Sequence, residues 1–192
     1  MIVATNNQEK LREIKQILDK YEIYSLKEKN IDIDVVEDQD SFLGNAKKKA
    51  HEIYELTKEA TIADDSGLCI DALEGFPGVM THRFLGEEAT DEMRNEYLIN
   101  ETNKHLDRKA QVICNIVYYD GQKEVVGTGV LEGTISKERR GKNGFGFDEI
   151  FELPGGLTLA ELSAEEKNQL SARYLALEDL KEKLNNKKVK KL

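Results

Sequence analysis

The sequence predicts a mixed α/β fold, an elongated and strongly twisted β-sheet flanked by helices. Three observations predict it. Short apolar runs alternate with helix-period stretches in the first third of the chain. Two long β-runs, 111–119 and 124–135, follow each other across Asp120-Gly121, a hairpin turn signal. A capping-box sequence, Ser163-Ala164-Glu165-Glu166, opens a last amphipathic helix. A long mixed sheet with helices on it lends itself to two lobes around a central cleft.

The elements follow in order. Ile2-Val3-Ala4 reads as a strand that stops at Thr5-Asn6-Asn7. Residues 8–20 carry Leu11, Ile14, Ile17 and Leu18 at helical spacing. Ile23-Tyr24 reads as a second strand, and 31–36, where acids alternate with β-branched residues, as a third. Residues 41–58 form a helix with Phe42, Ala46, Ala50, Ile53 and Leu56 on its apolar side. Thr61-Ile62-Ala63 is a brief strand running into Asp64-Asp65-Ser66-Gly67. Residues 91–102 are helical, 137–148 form a basic, glycine-rich loop, and Ile150-Phe151 returns to the sheet. From Ser163 one continuous helix is expected, with Leu170, Tyr174, Leu177, Leu180 and Leu184 on its stripe. The whole chain, 1–192, reads as a single domain of two lobes, with a basic tail at about 186–192 expected to fray.

Composition narrows the function. The 192 residues hold 39% hydrophobic and 34% charged side chains, an ordinary globular balance. A net charge of −9 argues against wrapping nucleic acid through its phosphates. Phosphates can still be bound locally by backbone N–H groups, lysines and a cation. Two cysteines, Cys69 and Cys114, exclude a disulfide framework, and both read as core residues of a protein in a reducing, cytoplasmic compartment. No apolar stretch approaches the ~20 residues of a membrane span, so no membrane partner is expected.

Several groups can carry chemistry. Thr5-Asn6-Asn7-Gln8-Glu9-Lys10 places a hydroxyl, carboxamides and an ammonium at a helix start, where unpaired N–H groups suit a phosphate. The plainer alternative is an Asn cap beside a surface lysine. Asp64 and Asp65 put like charges side by side, a conflict that a hard cation such as Mg²⁺ resolves. A carboxylate left beside the metal can activate water. The alternative there is a solvated turn. In Gly144-Phe145-Gly146-Phe147-Asp148, glycines flank an aromatic ring that can stand against a purine, next to a carboxylate. Gly-aromatic alternation also marks bends in strands. Lys167 and Ser171 share a helix face, whereas Arg173 points elsewhere unless the helix start is distorted. His82-Arg83 is a polar pair in irregular chain.

In this order and at this spacing, the segments resemble the inosine triphosphate pyrophosphatase family, the Ham1/RdgB-like proteins. The matching pieces are Ala4-Thr5-Asn6-Asn7 with Lys10, Phe42 with Asn45-Ala46 and Lys49-Ala50, and 63–68 around Asp64-Asp65. They continue with Gly75-Phe76-Pro77-Gly78, Gly144-Phe145-Gly146-Phe147-Asp148 with Ile150-Phe151, and Glu165-Glu166-Lys167. The resemblance implies an ITPase-like (anticodon-glycosidase-type) α/β fold and a homodimer. It also implies Mg²⁺-dependent hydrolysis of ITP, dITP and XTP to the monophosphate and pyrophosphate. Carried over by motif, Thr5, Asn6, Asn7 and Lys10 would hold the triphosphate, and Glu37, Asp64 and Asp65 the metal, with Asp65 as general base. Ser66 would touch substrate near the metal. Phe145 would stack on the base within the Gly146-Phe147-Asp148 loop, with Asp148 beside it, and Lys167 and Arg173 would meet phosphate or the purine 6-oxo edge.

Two departures stand out. The family's late Ser-His-Arg is here Ser171-Ala172-Arg173, and an alanine offers no hydrogen bond to a 6-oxo group. His82-Arg83 stands where many members have Ser-Ala-Arg, so His82 is the candidate replacement. Phe147 occupies a position usually taken by tyrosine. Ala172 also leaves open a broader or Maf-like nucleotide pyrophosphatase. A non-catalytic nucleotide-binding dimer is the third reading, which the intact Lys10, Glu37, Asp64 and Asp65 argue against.

Overall fold

The computed structural model describes residues 1–189, with side chains as far as Asn185. Eleven regular elements follow the chain: β1 Ile2–Val3, α1 Gln8–Ile17, β2 Tyr24–Ser25, α2 Phe42–Thr57, β3 Thr61–Ile70, α3 Asp91–Thr102, β4 Lys109–Tyr119, β5 Glu124–Ile135, β6 Phe151–Glu152, α4 Ala164–Asn168 and α5 Ala172–Val189. One mixed sheet holds all six strands in the order β2-β1-β3-β4-β5-β6. β1 pairs in parallel with β2 and with β3, and β6 runs antiparallel to β5. The expected tail, about 186–192, falls outside the described side chains, and 190–192 lie outside the described residues altogether.

Contacts divide the chain into two compact units. The first holds Met1–Ser66, Cys114–Gly129 and the chain from Ala172 on; the second holds Gly67–Ile113 and Val130–Ser171. β3, β4 and β5 therefore contribute residues to both. In the first unit, Ile2, Ala4, Ala63 and Val117 form one core with Ala46, Ala50 and Ile53 of α2. The parallel register of Ile2 with Thr61 puts Ala63 and then Asp65 on this α2 face, because strand side chains alternate. Ile62 and Asp64 take the opposite face. Helix α5 lies close on β5: a Cβ on Gly129 would stand 2.0 Å from the Ala172 carbonyl oxygen and 2.5 Å from the Ala176 nitrogen. Only glycine admits that approach. In the second unit, Phe76, Phe84 and Tyr97 pack edge-on or tilted, with ring centroids 5.2–6.3 Å apart.

Three expectations need correction. Residues 31–36 form no strand. Their alternation instead lays Ile31, Ile33 and Val35 against the first unit's core, outside any ladder. β3 does not end before Asp64 but runs on to Ile70, its Asp-Asp-Ser-Gly stretch buried throughout. Ser66-Gly67 carries turn residues, but the neighbouring polar groups find buried partners, so the strand can continue. The final helix is two helices. The capping box at Ser163 does start α4, but α4 stops at Asn168, and α5 begins only at Ala172.

Candidate active site

The first unit gathers the charged candidates. Asn7 caps α1, its side-chain oxygen accepting from the backbone N–H of Glu9 and Lys10 at 2.9 and 3.1 Å. Thr5 Oγ1 accepts from Asn7 N, and the Asn6 amide donates to the Ile33 carbonyl. Lys10 is not a surface lysine. Only 6% exposed, it directs its ammonium at Asp64 Oδ2, 3.3 Å away.

Asp64 is fully buried. Its Oδ2 also accepts from Arg173, from Nη2 at 3.2 Å and Nε at 3.3 Å. The same guanidinium pairs with Glu13 and donates to Ser66 Oγ at 3.2 Å. Burial pushes the Asp64 carboxyl up, but Lys10 and Arg173 overcome it and hold the group far below the usual carboxylate range. Asp64 Oδ1 is buried with no hydrogen-bond partner.

Asp65 lives differently. Its Oδ2 accepts from Asn45 Nδ2 and its Oδ1 from Ser66 N, both at 2.9 Å. Burial pushes its carboxyl up and the charge of Glu37 adds to this, against the pull of Lys49 and Lys10, so the net shift is upward. Glu37 itself is held by Lys49, 2.5 Å from its Oε1. Burial works against the Lys49 ammonium, but Asp64, Glu37 and Asp65 together raise its pKa. Cys114, buried nearby, has its thiol pushed up to about 12 by burial.

The expected three-carboxylate metal cluster is therefore not assembled. Among the described residues, no group of three or more His, Cys, Asp or Glu side chains is placed to hold a metal ion. Asp64 and Asp65 leave the strand on opposite faces, and Lys49 takes Glu37. What remains fits a looser site. Lys10, Lys49 and Arg173 face Glu13, Glu37, Asp64 and Asp65, so acids outnumber bases, and one carboxylate oxygen is an orphan. A hard cation that takes one or two carboxylates and completes its shell with phosphate suits that donor set.

The second unit gathers the aromatic candidates. Asp148, 3% exposed, accepts from Phe145 N at 2.9 Å and from Lys167 Nζ at 2.7 Å, which closes the glycine loop on itself. Gly144, at φ +77°, leaves room for this: a Cβ there would stand 2.0 Å from Asp148 Oδ2. The half-buried Phe145 ring carries the Lys167 ammonium 4.5 Å from its centroid, a cation–π contact. Phe147 packs edge-on against Phe151. His82 is exposed beside Gly146, while Arg83 donates to the Val79 carbonyl.

Lys167 and Arg173 thus part company. The break between α4 and α5 puts Arg173 in the first unit on Asp64 and Glu13, and leaves Lys167 in the second on Asp148 and Phe145. Lys167 and Arg173, expected to meet phosphate or the 6-oxo edge, stand in buried ion pairs, each neutralising a buried carboxylate. Sequence reasoning also missed Glu13 and Lys49 as members of the charged set, and Asn45 as a donor to it. Their signal was present: Asn45 and Lys49 fall in phase with the apolar stripe of α2, and Glu13 is one turn from Lys10 on α1.

A model of the Ham1 family matches residues 1–183. The chain belongs to the Ham1 family. Similar curated proteins are the dITP/XTP pyrophosphatases of Caldanaerobacter subterraneus subsp. tengcongensis, 44% identical over 95% of this chain and 94% of that protein, and of Clostridium tetani, 38% identical over 97% and 96%. Among solved structures, the Staphylococcus aureus Ham1 protein superposes with a TM-score of 0.88 at 36% identity, covering 97% of this chain and 98% of its own. A HAM1 protein from Coxiella burnetii gives 0.88 at 37% identity over 96% and 98%. The mixed α/β sheet is thus the family's fold.

Proposed function

We propose that this chain hydrolyses non-standard purine nucleoside triphosphates, dITP, XTP and ITP, to the monophosphate and pyrophosphate. Its relatives carry the name dITP/XTP pyrophosphatase over nearly their whole length. The observation that carries the reading is the divergence of two adjacent carboxylates. Asp64 is locked ionised by Lys10 and Arg173, while Asp65 is held by Asn45 and its own strand with its pKa raised. Neighbouring acids driven apart in this way divide the labour of charge and base.

Asp65 is the general base in this reading. It takes a proton from water as the water oxygen bonds to the α-phosphorus, and the bond from that phosphorus to the bridging oxygen breaks, releasing pyrophosphate. Asn45 and the Ser66 N–H fix the direction of its carboxylate. A triphosphate brings about four negative charges, and Lys10 and Lys49 supply ammonium groups to meet them. Thr5, Asn6, Asn7 and Ser66 are the further phosphate-side candidates. Mg²⁺ is the cation proposed: Asp64, whose Oδ1 has no hydrogen-bond partner, would help hold it together with phosphate oxygens, and when bound it would neutralise phosphate charge. Phe145 offers its ring to the purine, in a loop fixed by Asp148 and Lys167.

We also propose a homodimer and a cytoplasmic location. No helix among the described residues is long and apolar enough to cross a membrane. The reading is tested by pyrophosphate release from dITP, XTP, ITP and ATP with Mg²⁺. Wild type is expected to favour the first three, and Asp65→Asn to slow release by about 10²–10⁴-fold. Equal silence of wild type and variant, with nucleotide still bound, would leave only a binding protein.

A further inference from the structure

We propose that Asn45 is a positioning residue that acts through both ends of its amide: the nitrogen sets the pose of the Asp65 carboxylate, and the oxygen ties that pose to the acidic segment carrying Glu37. The proposal rests on the reading of Asp65 as general base. It goes beyond that reading by making segment 37–41 part of the framework that holds the base. All the residues concerned belong to the first unit.

The segment lies along the first turns of α2. Lys49 holds Glu37 at 2.5 Å, Lys48 holds Asp38 at 2.9 Å, and Asn45 Oδ1 accepts from Gln39 N at 3.0 Å. Ser41 then caps the helix, its Oγ accepting from Gly44 N at 3.1 Å. The contacts step back along the helix as the segment runs forward, so the two are docked in register. Gly44 permits the close approach: a Cβ there would stand 2.9 Å from Gln39 Cβ and 3.0 Å from Ser41 Oγ. Asn45 and Lys49 are one turn apart on one helix face, so the same face serves both Asp65 and Glu37.

Asn45 is fully buried, and its amide has one possible orientation. The Gln39 N–H can only donate, so the Asn45 oxygen must face it and the nitrogen must face Asp65. A flipped amide would set a donor against the Gln39 N–H and an acceptor against the carboxylate. Asn45 Nδ2 donates to Asp65 Oδ2, and Ser66 N to Asp65 Oδ1, both at 2.9 Å. Each carboxylate oxygen thus takes one N–H, which fixes the plane of the group and leaves each oxygen a further lone pair for a proton. A base held in one plane meets its water from one direction, and a misplacement of about 1 Å can cost about 10²-fold in rate.

The test uses the full chain as wild type, Asn45→Ala, Asn45→Asp and Lys48→Ala. kcat and KM are measured on ITP with Mg²⁺, and backbone amide exchange at Gln39 and Ser66 is followed by NMR without nucleotide. Asn45→Ala is expected to lower kcat by about 10–10²-fold with KM within about twofold of wild type, the mark of a contact that counts in the transition state. Both amides should exchange about tenfold faster, the worth of one hydrogen bond. Asn45→Asp keeps the shape and an acceptor for Gln39 N but turns an acceptor toward Asp65. It should lose kcat as well and free the Ser66 amide, while the Gln39 amide stays protected. Lys48→Ala, which breaks only a neighbouring tie to the segment, should match wild type. A loss in KM instead of kcat, a Ser66 amide as protected in Asn45→Ala as in wild type, or an equal kcat loss in Lys48→Ala overturns the proposal. Should wild type release no pyrophosphate from any purine triphosphate, the hydrolase reading fails and the amides alone decide. Faster exchange at Ser66 in Asn45→Ala then upholds the hold of Asn45 on Asp65, and unchanged exchange overturns it.

Discussion

The two units bury ionised side chains to different ends. In the first, Lys10, Lys49 and Arg173 are shared among Glu13, Glu37, Asp64 and Asp65, and Asp64 Oδ1 still lacks a partner. In the second, Asp148 accepts from Lys167 and from the Phe145 N–H. A buried polar set that closes on itself serves geometry, here the pose of an aromatic ring. One that keeps surplus negative charge and an orphan acceptor is built to receive something more, because a native structure rarely leaves such an atom unpaid. On the proposed function, that contrast fits phosphate and cation chemistry at the first set of residues and base contact at the second.

The sharpest way to break the contrast is to remove the shared cation. Arg173→Met takes a cation from two buried carboxylates, Glu13 and Asp64, of which Asp64 keeps Lys10, and should cost about 3–5 kcal/mol in urea unfolding. Lys167→Met takes a cation from one carboxylate, Asp148, which keeps its bond from Phe145 N, and should cost less. Equal costs would mean that both networks are merely structural. A second, smaller effect tests the packing that brings Arg173 to Asp64. Gly129→Ala forces a methyl against the Ala172 carbonyl at the start of α5 and should cost about 1–3 kcal/mol. Its unfolding midpoint should fall with no change in denaturant slope. Phe145→Ala probes the other side of the contrast. Nucleotide affinity should weaken by about 1–3 kcal/mol, the usual worth of base stacking, while inorganic triphosphate, having no base, should bind as before. Calorimetry with both ligands decides, and parallel losses would remove Phe145 from the base.

Much of this was legible in the sequence, for reasons that differ by element. α2 was readable because its apolar residues recur at helical spacing from its N-cap Ser41 on, and α3 likewise starts from a side-chain cap, Thr90. Lys10 and the Asp64-Asp65 pair were readable as chemistry because their residue types are costly to bury. The partners were not readable. Arg173 meets Glu13 160 positions away, a pairing that local periodicity cannot carry. The strand continuing through Ser66-Gly67 was hidden as well, since turn propensity yields when the tertiary environment satisfies the polar groups. The break between α4 and α5 decides which unit receives Arg173. It lies in Gln169-Leu170-Ser171, a stretch with neither proline nor glycine to announce it.

The smallest predicted effect concerns a carboxylate outside both sets, and it separates surface pairing from the buried network. Glu28 is exposed, yet its carboxyl is drawn from 4.5 to about 2, first by the Ser25 N–H at 2.6 Å and then by Lys15 at 2.9 Å. The folded value lies below the unfolded one. Glu28 therefore stabilises the protein above pH 4.5, and that contribution fades as pH falls through the interval down to about 2. Asp65 has the opposite sign: its folded pKa is raised, so the protein regains stability on its account as pH falls through that value. Urea unfolding of wild type and Glu28→Gln, compared at neutral pH and at successively lower pH, should show a gap that narrows on acidification. Added salt should shrink the gap only in part, because screening weakens the Lys15 pair but leaves the short bond from Ser25 N intact. A gap that stays constant down to pH 2.5 would mean the Ser25 and Lys15 contacts do not hold in solution.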